Sequence, residues 1–196
     1  MKIAHTRGLT WVEVLVALAI CGVLLFLVLP MVVNPYQQDG RTSSLSNMKQ
    51  LHMATEAMAI DGVLKGDPTL NWPGDTGGTF SHWTRALVEN QYLSTNDLCK
   101  LLSAPGVVVP TGTLPTTNTT AVLVYAVSED SPANTVFLSS ANFTNTPTGG
   151  SPPDRAAKPY GSKGFIIFRK GGDGAILQAR QAGNINLIGG FVPLCQ

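Results

Sequence analysis

Glu13 is the side chain whose position in the sequence has the clearest chemical meaning. It is the only charged residue in an apolar run from Leu9 to Val33. A carboxylate within a membrane-spanning helix costs about 2.5–3.5 kcal/mol near the centre and less near an interface. Pairing with an opposite charge in a low-dielectric setting offsets much of that cost. The position therefore predicts a functional carboxylate whose partner has to be identified.

Catalytic chemistry finds no support elsewhere in the chain. The three histidines are His5, His52 and His82, and no Ser-His-Asp context, GxSxG or HExxH pattern accompanies them. His52 lies on or near the apolar stripe of a predicted helix. We interpret it as a packing or surface residue, because no partner is recognised at helical spacing. The sequence predicts that the protein is not an enzyme.

The three cysteines have different surroundings in the sequence. Cys21 lies inside the apolar run, whereas Cys99 and Cys195 lie far apart in the remainder, and no CxxC or Cys/His spacing suggests zinc. In an oxidising compartment Cys99 and Cys195 are a candidate disulfide. Closing so long a loop would stabilise the fold by up to about 4.7 kcal/mol in the chain-entropy model. Two separate buried thiols are the alternative, and the sequence leaves both open.

The apolar run is long enough to predict a membrane span. At about 1.5 Å per residue it gives a helix of roughly 37 Å, against a hydrocarbon core of about 30 Å. Lys2 and Arg7 precede it, which predicts a cytoplasmic amino terminus. A secretory signal peptide has a shorter apolar core and an A-x-A-like site, and MVVNPYQQ offers none. A plain anchor explains the length but not Glu13.

The stretch GLTWVE followed by VLVALAICGVLLFLVLP resembles the prepilin signature of type IV pilins and type II secretion pseudopilins. The matching positions are Gly8, Glu13, Gly22 and Pro30, and the resemblance covers about the first sixth of the chain. It implies that a prepilin peptidase cuts between Gly8 and Leu9 and methylates the new amino terminus. Gly22 and Pro30 correspond to the family's helix glycine and helix proline, where a kink is expected.

This resemblance implies a division of the chain and a role for Glu13. Residues 1–8 become a cleaved leader, 9–33 a transmembrane and assembly helix, and 34–196 a periplasmic head. In a bundle of parallel, staggered helices, the new amine at Leu9 of one copy pairs with Glu13 of another. Such a pair also fixes the axial register between neighbours.

The head shows helical periodicity first and strand patterns later. An interruption is expected between about Pro30 and Arg41, and an amphipathic helix over about 43–61, the second half of a long spine helix. Its stripe contains Leu45, Met48, Leu51, Thr55 and Met58. Two short helices are predicted in FSHWTRALVENQYL and NDLCKLLSAPG, the second capped by Ser94 and Asp97. Strands are predicted in AVLVYAVS, TVFLSSANF, FIIFRK and AILQAR, with a last short strand in INLIGGFVPL.

The fold class predicted from these patterns is α+β. A long amino-terminal transmembrane spine helix packs on an antiparallel sheet of about four strands, as in pilins. The strand order cannot be derived from the pattern. Some secretion pseudopilins bind calcium in loops, and Glu129, Asp130 and Asp173 are the nearest candidates here. A hard cation needs six or more oxygens, and no loop concentrates carboxylates, so no cofactor is predicted and calcium is unsupported.

The predicted function is that of a structural subunit of a type II secretion pseudopilus or a type IV pilus-like filament. The expected partners are other copies or related subunits, prepilin peptidase, the inner-membrane assembly machinery and, before assembly, membrane lipid. The expected location is a single pass through the inner membrane with a periplasmic head, followed by the assembled filament. A minor pilin that binds cargo, a surface or DNA is the alternative. A net charge of +1 with 13% charged residues disfavours nucleic acid.

Overall fold

The structure is a computed structural model that describes residues 11–33, 35–150 and 156–196. The side chains of residues 23, 25–33 and 35–39 are outside this description. The predicted leader and the proposed cleavage site at Gly8 and Leu9 also lie outside it. The chain divides into two compact units, with the boundary between Asp39 and Gly40.

Five helices and four strands make up the regular structure of the described residues. The helices are α1 (Trp11–Val33), α2 (Pro35–Lys65), α3 (Phe80–Glu89), α4 (Thr95–Leu101) and α5 (Ile185–Ile188). The strands are β1 (Val122–Val124), β2 (Val136–Ser140), β3 (Phe165–Arg169) and β4 (Gly174–Leu177). They form one antiparallel sheet in the order β1-β2-β3-β4. The α+β class and the four-stranded antiparallel sheet are therefore confirmed.

The membrane-spanning part of the predicted fold is wrong. No helix among the described residues is long and apolar enough to cross a membrane. The predicted location, a single pass through the inner membrane with a periplasmic head, depended on that span and is overturned with it.

The amphipathic stripe predicted over 43–61 lies within α2. Met48, Leu51, Thr55 and Met58 are buried, and Leu45 is half-buried. A helix break is predicted between about Pro30 and Arg41. Residues 30–33 and 35–41 are instead helical, and residue 34 lies outside the described residues.

The sheet has a buried layer on each face, because alternate residues of a strand point to opposite sides. On one face, Ile166 and Phe168 join a core cluster with α2, α3 and α4. On the other, Phe165 and Ile167 pack with Ile188. Both faces are thus covered, which explains why the first four residues of β3 are all apolar and buried rather than alternating.

Short polar caps fix the smaller helices. Ser94 accepts a hydrogen bond from the Asp97 amide at the start of α4, as predicted. Asn184 likewise accepts from the Leu187 amide and starts α5. The strand predicted in INLIGGFVPL is therefore wrong over INLI, and only isolated bridges at Gly190 and Leu194 join the sheet.

Candidate functional site

Helix α1 presents an exposed apolar surface within the first unit. All of its described side chains are exposed, including Trp11 at 79% and Leu18 at 64%. Burying a large apolar side chain contributes about 1.5–3 kcal/mol. A helix with this much apolar surface has a strong tendency to associate with a complementary apolar surface.

Glu13 lies in the first turn of α1, and its side chain is exposed. A carboxylate near a helix amino terminus interacts favourably with the helix dipole. The same position keeps the charge at one end of the apolar surface rather than in its middle.

Gly22 has open space around it among the described residues. A Cβ built at this position has no described atom within 4 Å, so the described packing does not require glycine at this position. Pro30 lies inside α1, eight positions further along and three before its end at Val33. A kink at these two residues stays a prediction.

Cys99 and Cys195 are free, buried thiols in the structure. This is the second of the two arrangements that the sequence left open. The Cys99 thiol donates a weak hydrogen bond to the Thr113 carbonyl, with 3.5 Å between sulfur and oxygen. Burial raises the pKa of both thiols, that of Cys195 to about 12. Both are thereby kept protonated and unreactive at neutral pH.

His52 connects α2 to the turn between β3 and β4. Its Nε2–H donates to the Lys170 carbonyl at 2.6 Å, and its ring lies 5.3 Å from the ring of Phe168. Its Nδ1 lies 3.8 Å from a carboxylate oxygen of Glu56, four residues along the helix. The inference that His52 has no partner at helical spacing is therefore wrong, and the i,i+4 spacing could have revealed Glu56.

The acidic residues considered for calcium lie in turns whose polar atoms make other contacts. The Asp173 carboxylate pairs with Arg169. The Glu129 amide donates to Asp75, and the Lys170 ammonium donates to the carbonyls of Glu129 and Ser131. The Lys170 ammonium thus already binds two carbonyl oxygens that this turn could offer to a metal ion. No group of three metal-ligating side chains occurs among the described residues.

A groove of about 450 Å³ lies at the carboxy-terminal end of α2. Its apolar wall includes Ile60, Val63 and Leu64, of which Val63 is 73% and Leu64 78% exposed. Trp72 also lines the groove, and the Lys170 ammonium is 5.6 Å from the centre of the Trp72 ring. Glu56 and Glu129 also line the groove.

The sequence missed this groove because it ended the helix near Gly62. Helix α2 continues to Lys65 and carries Val63 and Leu64 outward. A Cβ on Gly62 would lie 1.7 Å from the Leu70 carbonyl oxygen. The loop that crosses the helix therefore requires glycine at this position. The glycine does not end the helix.

Comparisons with family models, with characterised proteins and with solved structures find no match to this chain.

Proposed function

We propose that the protein is a structural subunit of a type II secretion pseudopilus or a type IV pilus-like filament. Its activity is self-association with other copies or related subunits, and it carries out no chemistry of its own. In this proposal prepilin peptidase cuts between Gly8 and Leu9, and an assembly machinery polymerises the product through α1.

The observation that carries the proposal is the exposed apolar surface of α1 with Glu13 in its first turn. Association of several α1 helices would bury large side chains such as Trp11 and Leu18. Each contributes about 1.5–3 kcal/mol when fully buried. Apolar contact supplies the affinity but sets the register poorly, because neighbouring apolar side chains are interchangeable.

Glu13 supplies the register. Cleavage after Gly8 creates a cationic amine at Leu9, and a staggered neighbour brings that amine to Glu13. The pair adds little net stability, because desolvation of both charges opposes their attraction. A wrong stagger leaves each charge buried without a partner, which is costly. The arrangement therefore selects one axial offset.

The head supports the same proposal through its architecture. Helix α2 packs on a four-stranded antiparallel sheet, and its stripe is buried in the core. A folded head of this kind, joined to an exposed apolar helix, gives a subunit whose helices associate while its heads form the outer surface.

The test compares filament assembly by Glu13→Ala with the wild-type chain in cells that express the assembly machinery. Glu89→Ala is the matched control, since Glu89 is an exposed carboxylate on α3 that pairs with Arg85 at 3.8 Å. We expect Glu13→Ala to accumulate as processed subunit and to form few filaments, and Glu89→Ala to assemble normally. Normal filaments from Glu13→Ala would refute the proposed role.

A further inference from the structure

The groove end of the head carries most of its negative charge. Glu56 and Glu129 line the groove itself. Around it stand carboxylates on α2 and on the two loops beside it, namely Asp61, Asp67, Asp75 and Asp130. Two cations share this end, and both are engaged: Lys65 with Asp61 at 2.8 Å, and Lys170 with two backbone carbonyls. The groove therefore combines an apolar wall with an acidic rim.

The opposite end of the head is basic and carries an apolar tip. The amino-terminal part of α2 in this unit meets Pro105, which lies 2.9 Å from where a Cβ on Gly40 would be. Val108, on the same loop, is 81% exposed. The Lys158 side chain lies beside that loop, 4.0 Å from where a Cβ on Gly106 would be.

Further cations belong to this end. The Tyr160 hydroxyl donates to the Gly40 carbonyl at 3.3 Å, which brings the segment containing Lys158 and Lys163 against α2. Arg41 follows on α2 itself and is half-buried. We call the exposed loop around Val108, together with Arg41, Lys158 and Lys163, the basic tip.

The described carboxylates of the head are distributed accordingly. From Gly40 onward they lie at the groove end or in pairs with a close sequence neighbour, which are Arg85–Glu89, Asp97–Lys100 and Arg169–Asp173. Helix α2 joins the two ends. From Gly40 to Val63 it rises roughly 35 Å at about 1.5 Å per residue. In the head, negative charge is thus concentrated at the carboxy-terminal end of α2 and positive charge at the end near Gly40.

We propose that the groove of one head receives the basic tip of a second copy. This inference rests on the proposed function and names a contact between two heads of the assembly. Val108 enters the apolar wall formed by Ile60, Val63 and Leu64. Lys158 comes to face the acidic rim, where opposite charges favour encounter and orientation.

The charges also disfavour one symmetric contact. A two-fold contact centred on the groove would bring Glu56 and Glu129 near their own copies, which is unfavourable. The proposed contact joins two different surfaces, and its repetition generates a ring or, where the rotation does not close, a filament. In a filament it gives a head-to-tail series with α2 helices running in one direction.

Cysteine cross-linking in the full chain tests this geometry. The background carries Cys21→Ala, and the buried Cys99 and Cys195 remain. One preparation adds Val63→Cys and another adds Val108→Cys, both at exposed positions that the core does not use. A bifunctional maleimide is applied to each preparation alone and to their mixture. We expect dimers in the mixture and few in either preparation alone.

Charge reversal supplies the control for specificity. Glu129→Lys in the groove copy should lower the dimer yield about fivefold, the effect of losing one exposed ion pair. Lys158→Glu in the tip copy should restore it. Glu89→Lys, on α3, should leave the yield unchanged, and 0.5 M salt should lower it because exposed charges are screened.

The outcomes separate this contact from the proposed function. Dimers formed mainly by Val63→Cys alone would indicate a symmetric contact and overturn the inference. Absence of cross-links in oligomers that still depend on Glu13 would overturn it while leaving the proposed function intact. Absence of both cross-links and Glu13-dependent oligomers would overturn the two together.

Discussion

His52 donates a hydrogen bond of 2.6 Å from Nε2 to the Lys170 carbonyl, and so ties α2 to the β3–β4 turn. His52→Ala removes this donor and leaves space among aromatic rings, including that of Phe168. We expect the free energy of unfolding to fall by about 2–4 kcal/mol, from the cavity and the unsatisfied carbonyl together. Urea denaturation followed by tryptophan fluorescence measures it.

Glu56→Ala is the control for His52. The Glu56 side chain is 54% exposed, and its contact with His52 is long, at 3.8 Å. Its loss should change the free energy of unfolding by less than about 0.5 kcal/mol. Equal stability of His52→Ala and the wild type would contradict the role assigned to the histidine.

A second buried hydrogen bond joins α3 to α2. The Trp83 indole Nε1–H donates to the Thr55 hydroxyl at 3.0 Å, and that hydroxyl donates to the Leu51 carbonyl at 2.9 Å. Thr55→Val keeps the shape but leaves the indole donor unsatisfied, so we expect a loss of about 1–3 kcal/mol. Thr55→Ser keeps the hydroxyl and should lose less. Thermal unfolding measures the stability of both variants. A larger loss in Thr55→Ser than in Thr55→Val would refute this explanation.

Two helical glycines should respond oppositely to alanine. Gly62→Ala places a Cβ against the Leu70 carbonyl, and the displacement of backbone should cost about 1–3 kcal/mol. Gly22→Ala meets none of the described residues and should leave the unfolding of the head unchanged. Circular dichroism during heating distinguishes them. A destabilised head in Gly22→Ala, or an unaffected one in Gly62→Ala, would contradict the packing described.

The cysteines should differ in their rates of alkylation. At pH 8 a thiol whose pKa is about 12, as for Cys195, is thiolate in about one molecule in 10⁴. We expect iodoacetamide to modify the exposed Cys21 first, and Cys99 and Cys195 only after unfolding. Peptide mass analysis gives the sites. If Cys99 and Cys195 resist alkylation in denaturant until a reductant is added, they are paired and the free thiols are contradicted.

Much of the head could be predicted because its patterns are local. The stripe from Leu45 to Met58 has helical spacing and is the face of α2 toward the core. The Gly-Gly-Asp-Gly turn at 171–174 joins the strands predicted in FIIFRK and AILQAR, with Phe165 opposite Leu177. These elements follow from spacing and turn chemistry that neighbouring residues determine.

The remaining features depend on contacts between distant parts of the chain. Gly62 by itself indicates a helix end, but the loop that contains Leu70 crosses the helix at this glycine and explains its presence. The apolar INLI favoured a strand, but the Asn184 cap and the Arg169 Nε–H donor to the Ile188 carbonyl hold a helix there. The predicted membrane span relied on counting apolar residues, and the described helices do not contain it.

Mass spectrometry of the mature amino terminus tests the central claim most directly. The full chain is expressed with and without a prepilin peptidase, and the amino-terminal peptide is identified in each case. We expect a chain that begins at methylated Leu9 with the peptidase and at Met1 without it. Gly8→Leu should prevent the cut while leaving the head folded. A wild-type chain that begins at Met1 in the presence of an active peptidase would contradict the assignment.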